Sequence, residues 1–260
     1  MIDIDASDRP LPEKSARLRP PTDLLRGATL FLDFDGTLVE IADRPDDVAI
    51  PPGLRDLLAR LASALDGRLA LVSGRSVDTL ARLLPDHGVV VSGSHGLEFA
   101  RADGSVEQPD PPEALQRVRA RFEEFAEGRD GILVESKPLG IGLHYREAPH
   151  LAKQAEALAV AVAQAHGLPL QRGKMVFEVR AAGGHKGSAI ETLMGEMPFS
   201  DGCPIFLGDD VTDEDGFEAV SAMGGDGILI GPDRDSAAVY RLDGVAEALA
   251  WLEAACPAAR

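Results

Sequence analysis

The sequence predicts an α/β fold with a parallel sheet, interrupted once by a smaller α+β insert. Two patterns predict the sheet. Short apolar runs alternate with segments of helical leucine spacing, and several runs end abruptly in polar, glycine-containing junctions. A third pattern marks the insert: from about residue 108 to 181, strands with strict apolar/polar alternation lie among two helices.

Taken in order, residues 28–33 form the first buried strand, because five mostly apolar residues run straight into Asp33. Residues 53–65 carry leucines at helical spacing. Residues 68–72 are a second apolar strand ending in Ser73-Gly74-Arg75, residues 77–84 a helix and residues 88–92 a third strand. After the insert come a helix (186–194), a strand (204–207), a helix (213–220) and a strand (227–230). A closing helix (243–252) turns leucine, alanine and tryptophan inward.

Within the insert the order is helix (112–126), strand (132–137), strand (141–146), helix (149–166) and strand (174–180). Ile132 and Val134 share one strand face, and Glu135 and Lys137 the other. Ile141, Leu143 and Tyr145 oppose His144 and Arg146, while Met175, Phe177 and Val179 oppose Lys174, Glu178 and Arg180. Two helices on the apolar face leave a polar face open. The expected division is a loose tail (1–24), rich in proline and mixed charge, a core (25–107 and 182–260) and the insert (108–181).

Composition excludes several classes. With 260 residues, 45% hydrophobic and 27% charged, the chain reads as a soluble globular protein. A formal charge of −17 argues against nucleic-acid or membrane partners. The start of the sequence has no apolar signal core, and two cysteines make no disulfide framework, so a cytoplasmic location is expected. Oligomeric state stays open, and a monomer is compatible with the sequence.

Four junctions concentrate chemistry: Asp33-Phe34-Asp35-Gly36-Thr37, Ser73-Gly74-Arg75, Lys186-Gly187 and Gly208-Asp209-Asp210-Val211-Thr212-Asp213. In an open parallel sheet the carboxyl ends of the strands form the ligand crevice. Clustered carboxylates suit a hard cation such as Mg²⁺, which takes few protein ligands and shares phosphate oxygens. A carboxylate meeting a phosphate dianion at ~4 Å is repelled by about 8 kcal/mol at an effective dielectric of about 20. A cation, Lys186 and a helix N-terminus reverse that sign. Asp33 can then attack phosphorus while Asp35 exchanges the proton.

These junctions resemble the four motifs of the haloacid dehalogenase superfamily. The resemblance implies a Rossmann-like three-layer core with Asp33 as nucleophile, Asp35 as acid/base, and Ser73 and Lys186 holding phosphoryl oxygens. It further implies Mg²⁺ held by Asp33, Asp35 (through its carbonyl) and Asp209, with Asp210 and Asp213 orienting that set. The insert corresponds to a cap of the αββ-repeat type, which suits sugar phosphates.

Within the superfamily the segments LFLDFDGTLVEIADRPDDV, LVSGRSVDTL, GSHGLEF, ESKPLGIGLHYR, KMVFEVRAAGGHKGSAI and IFLGDDVTDEDGFEAV resemble the trehalose-6-phosphate phosphatases. That resemblance places a Glu-x-Lys cap motif on Glu135 and Lys137, a further cap glutamate on Glu178 and a Ser-x-His-Gly segment on residues 94–96. Gly74, Arg75, His95, Gly96 and Arg146 join these as candidate substrate contacts. A stand-alone phosphatase is expected, since no sugar-transferring domain precedes the motifs. Alternatives are another sugar-phosphate phosphatase or phosphomutase, or a silent sugar-phosphate-binding module. A receiver domain shares the aspartate, serine and lysine set but is about half as long and has no insert.

Overall fold

The structure, a computed structural model, describes residues 17–42 and 47–256. The main sheet is built from β1 (Ala28–Leu32), β2 (Leu69–Val72), β3 (Val90–Gly93), β4 (Glu98–Ala100), β5 (Val106–Glu107), β10 (Cys203–Gly208), β11 (Asp226–Ile230) and β12 (Tyr240–Leu242). Their spatial order is β12-β11-β10-β1-β2-β3-β4-β5, parallel from β12 to β3 and antiparallel thereafter.

Each central strand is buried on both faces, which is why it reads as an unbroken apolar run. Leu30 and Leu32 of β1 pack with Leu71, Leu207 and Ile228 toward α1 (Leu54–Ala64) and α7 (Val245–Ala255). Phe31 turns the opposite way and joins Val72, Phe206 and Leu229 against α5 (Lys186–Met194) and α6 (Glu214–Ala222). A helix α2 (Val77–Leu83) follows β2, with Ser76 accepting the Thr79 N–H as its cap.

The insert is a second sheet of order β6-β7-β9-β8. It comprises β6 (Leu133–Lys137), β7 (Gly140–His144), β8 (Leu170–Gly173) and β9 (Val176–Arg180), all antiparallel. Helices α3 (Ala114–Ala126) and α4 (Ala152–His166) cover one face, burying Val118, Phe122, Ile141, Leu143, Ala159, Phe177 and Val179 together.

The structure departs from the sequence reading in four places. The antiparallel edge β4-β5 and the short strand β12 extend the sheet. A strand β8, unread in the sequence, completes the cap sheet. The last cap strand begins at Val176 instead of 174, because Lys174 and Met175 form the β8–β9 turn and Met175 adopts a left-handed φ of 65°. The expected loose tail fails for residues 17–24: Leu18 pairs with Tyr240, and Trp251 donates to the Pro20 carbonyl at 3.0 Å. Residues 1–16 of that tail lie outside the described residues.

Candidate active site

Strand β1 sits at the centre of the sheet, where the strand order reverses, and all four motif junctions open at that one edge. Asp33 leaves β1 with its N–H still bonded to the Leu207 carbonyl at 2.9 Å, so the backbone behind the carboxylate is held by the sheet. Its Oδ1 accepts from Lys186 Nζ at 2.6 Å, and its Oδ2 from Thr37 Oγ1 at 3.1 Å. Lys186 is the first residue of α5, whose cap His185 exchanges hydrogen bonds with Ser188. The same ammonium donates to Asp213 Oδ1 at 2.6 Å.

Asp33, Lys186 and Asp213 are all buried. Burial opposes the Lys186 charge, but Asp213 and Asp33 outweigh it and hold the ammonium well above its ordinary range. Desolvation, reinforced by Asp213 and Asp209, raises Asp33 against the pull of Lys186. Asp209 is likewise raised from 3.8 to about 7, first by burial and then by Asp213, with Lys186 opposing. The cluster therefore carries more negative charge than its lysine neutralises.

Carboxylate oxygens of Asp33, Asp209 and Asp213 lie within 4.8 Å of one another. Asp213 is already engaged: Oδ2 accepts the N–H groups of Asp209 and Asp210 at 3.0 and 2.9 Å, and Oδ1 takes Lys186. Asp210 folds back on the Val211 N–H at 2.5 Å. Asp209 instead crowds the turn after Asp35. A Cβ on Gly36 would sit 2.1 Å from Asp209 Oδ2, and Gly36 has a left-handed φ of 83°, so both space and conformation call for glycine. This donor set fits a hard cation held by Asp33 and Asp209 beside the 35–36 turn, with Asp213 and Asp210 bracing the loop.

Arg75, read from the sequence as a substrate contact, holds Asp35 in a two-point fork, Nε to Oδ2 at 2.6 Å and Nη2 to Oδ1 at 2.8 Å. Ser73 is buried at the end of β2 and its Oγ accepts the Arg75 N–H at 3.1 Å. Gly74 and His95 lie against each other beside it, and Gly96 turns next to the His185 carbonyl, which a Cβ would approach to 2.8 Å.

The polar face of the cap closes over these groups. One cavity of about 200 Å³ is lined by Asp33, Asp35, Ser73, Gly74, Arg75, His95, Lys186 and Asp209 from the core. Glu135, Lys137, His144, Arg146, Gln171 and Glu178 line it from the cap. Lys137 Nζ pairs with Glu178 Oε2 at 2.5 Å, and Glu135 Oε2 meets His144 Nε2 at 2.9 Å. Burial opposes the Lys137 charge, but Glu178 and Glu135 raise it; burial likewise opposes Glu135, which His144 and Lys137 lower. Gly140 leaves room for the Glu178 carboxylate, since a Cβ there would lie 2.6 Å from its Oε1. Arg146 stands toward the mouth, donating to the Lys174 carbonyl at 3.1 Å.

All the expected site residues except Gly96 and Asp213 line this cavity, and those two touch residues that do. Sequence reasoning missed Thr37, His144 and Gln171 as site groups. Thr37 stands two residues after Asp35 and His144 alternates with Leu143, so both carried a signal. Gln171 lay on the unread strand.

An aspartate pair at the central strand end with its first member buried, a lysine from a following helix and an acidic loop under a cap define a haloacid-dehalogenase-type hydrolase. The fold agrees: a haloacid dehalogenase-like hydrolase from Bacteroides thetaiotaomicron superposes with a TM-score of 0.62 at 16% identity, over 88% of this chain and 99% of that one. The trehalose-phosphatase family profile matches residues 31–246, and the chain belongs to that family. It is 38% identical to the trehalose-6-phosphate phosphatase of Escherichia coli strain K12, over 86% of this chain and 84% of that protein. A probable trehalose-phosphate phosphatase of Sinorhizobium fredii is also 38% identical, over 78% and 77%. A solved trehalose-6-phosphate phosphatase related protein superposes with a TM-score of 0.74 at 27% identity, covering 86% of this chain and 95% of that one.

Proposed function

We propose that this protein is a Mg²⁺-dependent phosphatase that hydrolyses trehalose 6-phosphate to trehalose and phosphate through an aspartyl-phosphate on Asp33. The carrying observation is the cavity that joins buried Asp33 and Lys186 to a polar cap face of hydrogen-bonded acidic and basic side chains. The family and its named relatives supply the substrate.

In the first step an Asp33 oxygen bonds to phosphorus as the ester P–O bond breaks, and Asp35 gives its proton to the departing sugar oxygen. In the second, Asp35 takes a proton from water, whose oxygen attacks phosphorus and releases Asp33. Arg75 keeps the Asp35 carboxyl aimed during both transfers. Ser73 and Lys186 hold the phosphoryl oxygens. Asp33, Asp209 and the Asp35 carbonyl would hold the cation, which when bound neutralises the carboxylates and polarises the phosphoryl group.

On the cap, Glu135, Lys137 and Glu178 exchange their mutual pairs for sugar hydroxyls, with Arg146 and His95 at the edges of the pocket. Phosphate release from a panel of sugar monophosphates, with Mg²⁺ and with chelator, tests the reading. Preference for trehalose 6-phosphate that vanishes in chelator is expected. Equal turnover of unrelated sugar phosphates would move it to a broader phosphatase, and a requirement for added bisphosphate would make it a mutase.

A further inference from the structure

Across the cap sheet, Glu135, Gly142, Glu178 and Gln171 stand side by side in one row. Gln171 ends that row and reaches out of the cap to the core: its Nε2 lies 3.0 Å from His95 Nε2 and 3.3 Å from Nδ1.

The core holds its half of this contact rigidly. Ser94 and His95 both adopt left-handed φ values, 48° and 56°, which non-glycine residues keep only when their surroundings fix them. The fixing bonds run from Ser94 N–H to the Arg75 carbonyl at 2.8 Å and from His95 N–H to the Ser73 carbonyl at 2.9 Å. The imidazole lies flush on Gly74, where a Cβ would come within 2.5 Å of the ring. The ring position is thus tied to the junction that carries Ser73 and Arg75.

The space around the contact is open on two sides. One side is the shared cavity, and the other is a second cavity of about 210 Å³ reaching Leu170, Arg180, His185 and Asp215. His95, Gln171, Lys186 and Thr212 line both. With volume on either side, surrounding packing does little to press the pair together, and the hydrogen bond itself sets the register of cap on core at this point.

We propose that Gln171 is a positioning residue that, through His95, holds the cap closed over Asp33 and so sets the protein's affinity for a substrate that spans cap and core. The role in affinity rests on the function proposed above; the role in closure does not. Removing one such bond should lower the closed-to-open ratio about five- to tenfold, and a substrate that binds only the closed form loses affinity in proportion to the fall in the closed fraction, by at most that factor.

The test is a cap–core distance distribution from paired spin labels, one on exposed Cys203 and one introduced by Arg121→Cys on the exposed side of α3, without substrate. Gln171→Met keeps the volume and loses the bond, whereas Gln171→Glu replaces the amide donor with a carboxylate that accepts from the imidazole in its other tautomer. Longer distances in Gln171→Met, with the parental distribution kept in Gln171→Glu, are expected. The KM for trehalose 6-phosphate should rise in Gln171→Met by the factor by which the measured closed fraction falls, at most about tenfold, with kcat nearly unchanged, because saturating substrate closes the cap again. An unchanged distribution in Gln171→Met overturns the proposal, and so does equal opening in Gln171→Glu. A KM rise without any distance change would make Gln171 a direct sugar contact instead. If trehalose 6-phosphate proves not to be the substrate, the distance result stands by itself.

Discussion

In the core, Asp33, Lys186 and Asp213 are buried, each carboxylate oxygen has a fixed donor, and the supporting bonds come from strand ends and a helix start. In the cap, Glu135, Lys137, His144 and Glu178 pair with one another across the face of a sheet. The first arrangement is pre-set for one chemical event and has little freedom to answer a different ligand. The second is a set of exchangeable partners, in which each ion pair can be traded for hydroxyls without leaving a charge alone. On the proposed function, reaction and recognition are thus divided between two pieces of chain with different kinds of order.

The division is broken most severely at the nucleophile. Asp33→Asn should lower kcat on the order of 10⁴-fold or more on every substrate while the protein stays folded, as circular dichroism would show. Residual turnover near the parental rate, in protein free of deamidation, would remove Asp33 from the role.

Lys186→Met comes next, because it leaves Asp33 and Asp213 buried without their cation. Chemical denaturation should show a loss of about 3–5 kcal/mol in chelator, along with lost activity. A stability equal to the parent would mean that the core lysine is not the neutralising element.

The cap variants Glu135→Ala, Lys137→Ala and Glu178→Ala should each cost about ten- to a hundredfold on trehalose 6-phosphate and far less on a small aryl phosphate. Equal losses on both substrates would erase the distinction between reaction and recognition. The effects should be non-additive, since the three residues share partners.

The smallest effect concerns Asp209 without metal. Between its ordinary 3.8 and its folded value of about 7, the folded protein keeps a proton that the unfolded chain has released. Stability from this group therefore falls as pH rises through that window, and above it the full repulsion is felt. In chelator above pH 7, Asp209→Asn should melt about 2–4 °C higher than the parent, the shift that roughly 1 kcal/mol produces in a chain of this size. Added Mg²⁺ should stabilise the parent and leave the variant unmoved. A variant that melts lower in chelator would show that Asp209 is not held against repulsion.

The core was legible where physics is repetitive. Strands covered on both sides must be apolar throughout, so β1, β2 and β10 and the polar junctions beyond them stood out in the sequence. The cap face was legible because alternation placed Glu135, Lys137 and Glu178 together. Strand β8 was not, because Leu-Gln-Arg-Gly offers a single apolar side chain and takes its place from pairing with β9. The fork between Arg75 and Asp35 joins residues whose partnership depends on how two loops converge, which no local pattern encodes. The prolines before Leu24 signalled a loose tail, but Arg17 overrides them by donating to the carbonyls of Ala238, Arg234 and Ser236.

The register between β1 and β10, which sets Ala28 beside Cys203 and Leu32 beside Leu207, has a consequence for the order of events during synthesis. When β1 leaves the ribosome its neighbour on one side does not yet exist, and the whole cap sheet lies between them in the chain. The cap can complete its own antiparallel pairings first, since all its strands are contiguous in sequence. Asp33, Lys186 and Asp209 come together only after residue 213 has emerged. The cap half of the cavity can therefore be in place before its core half, and until then the edge of β1 that pairs with β10 stays unpaired.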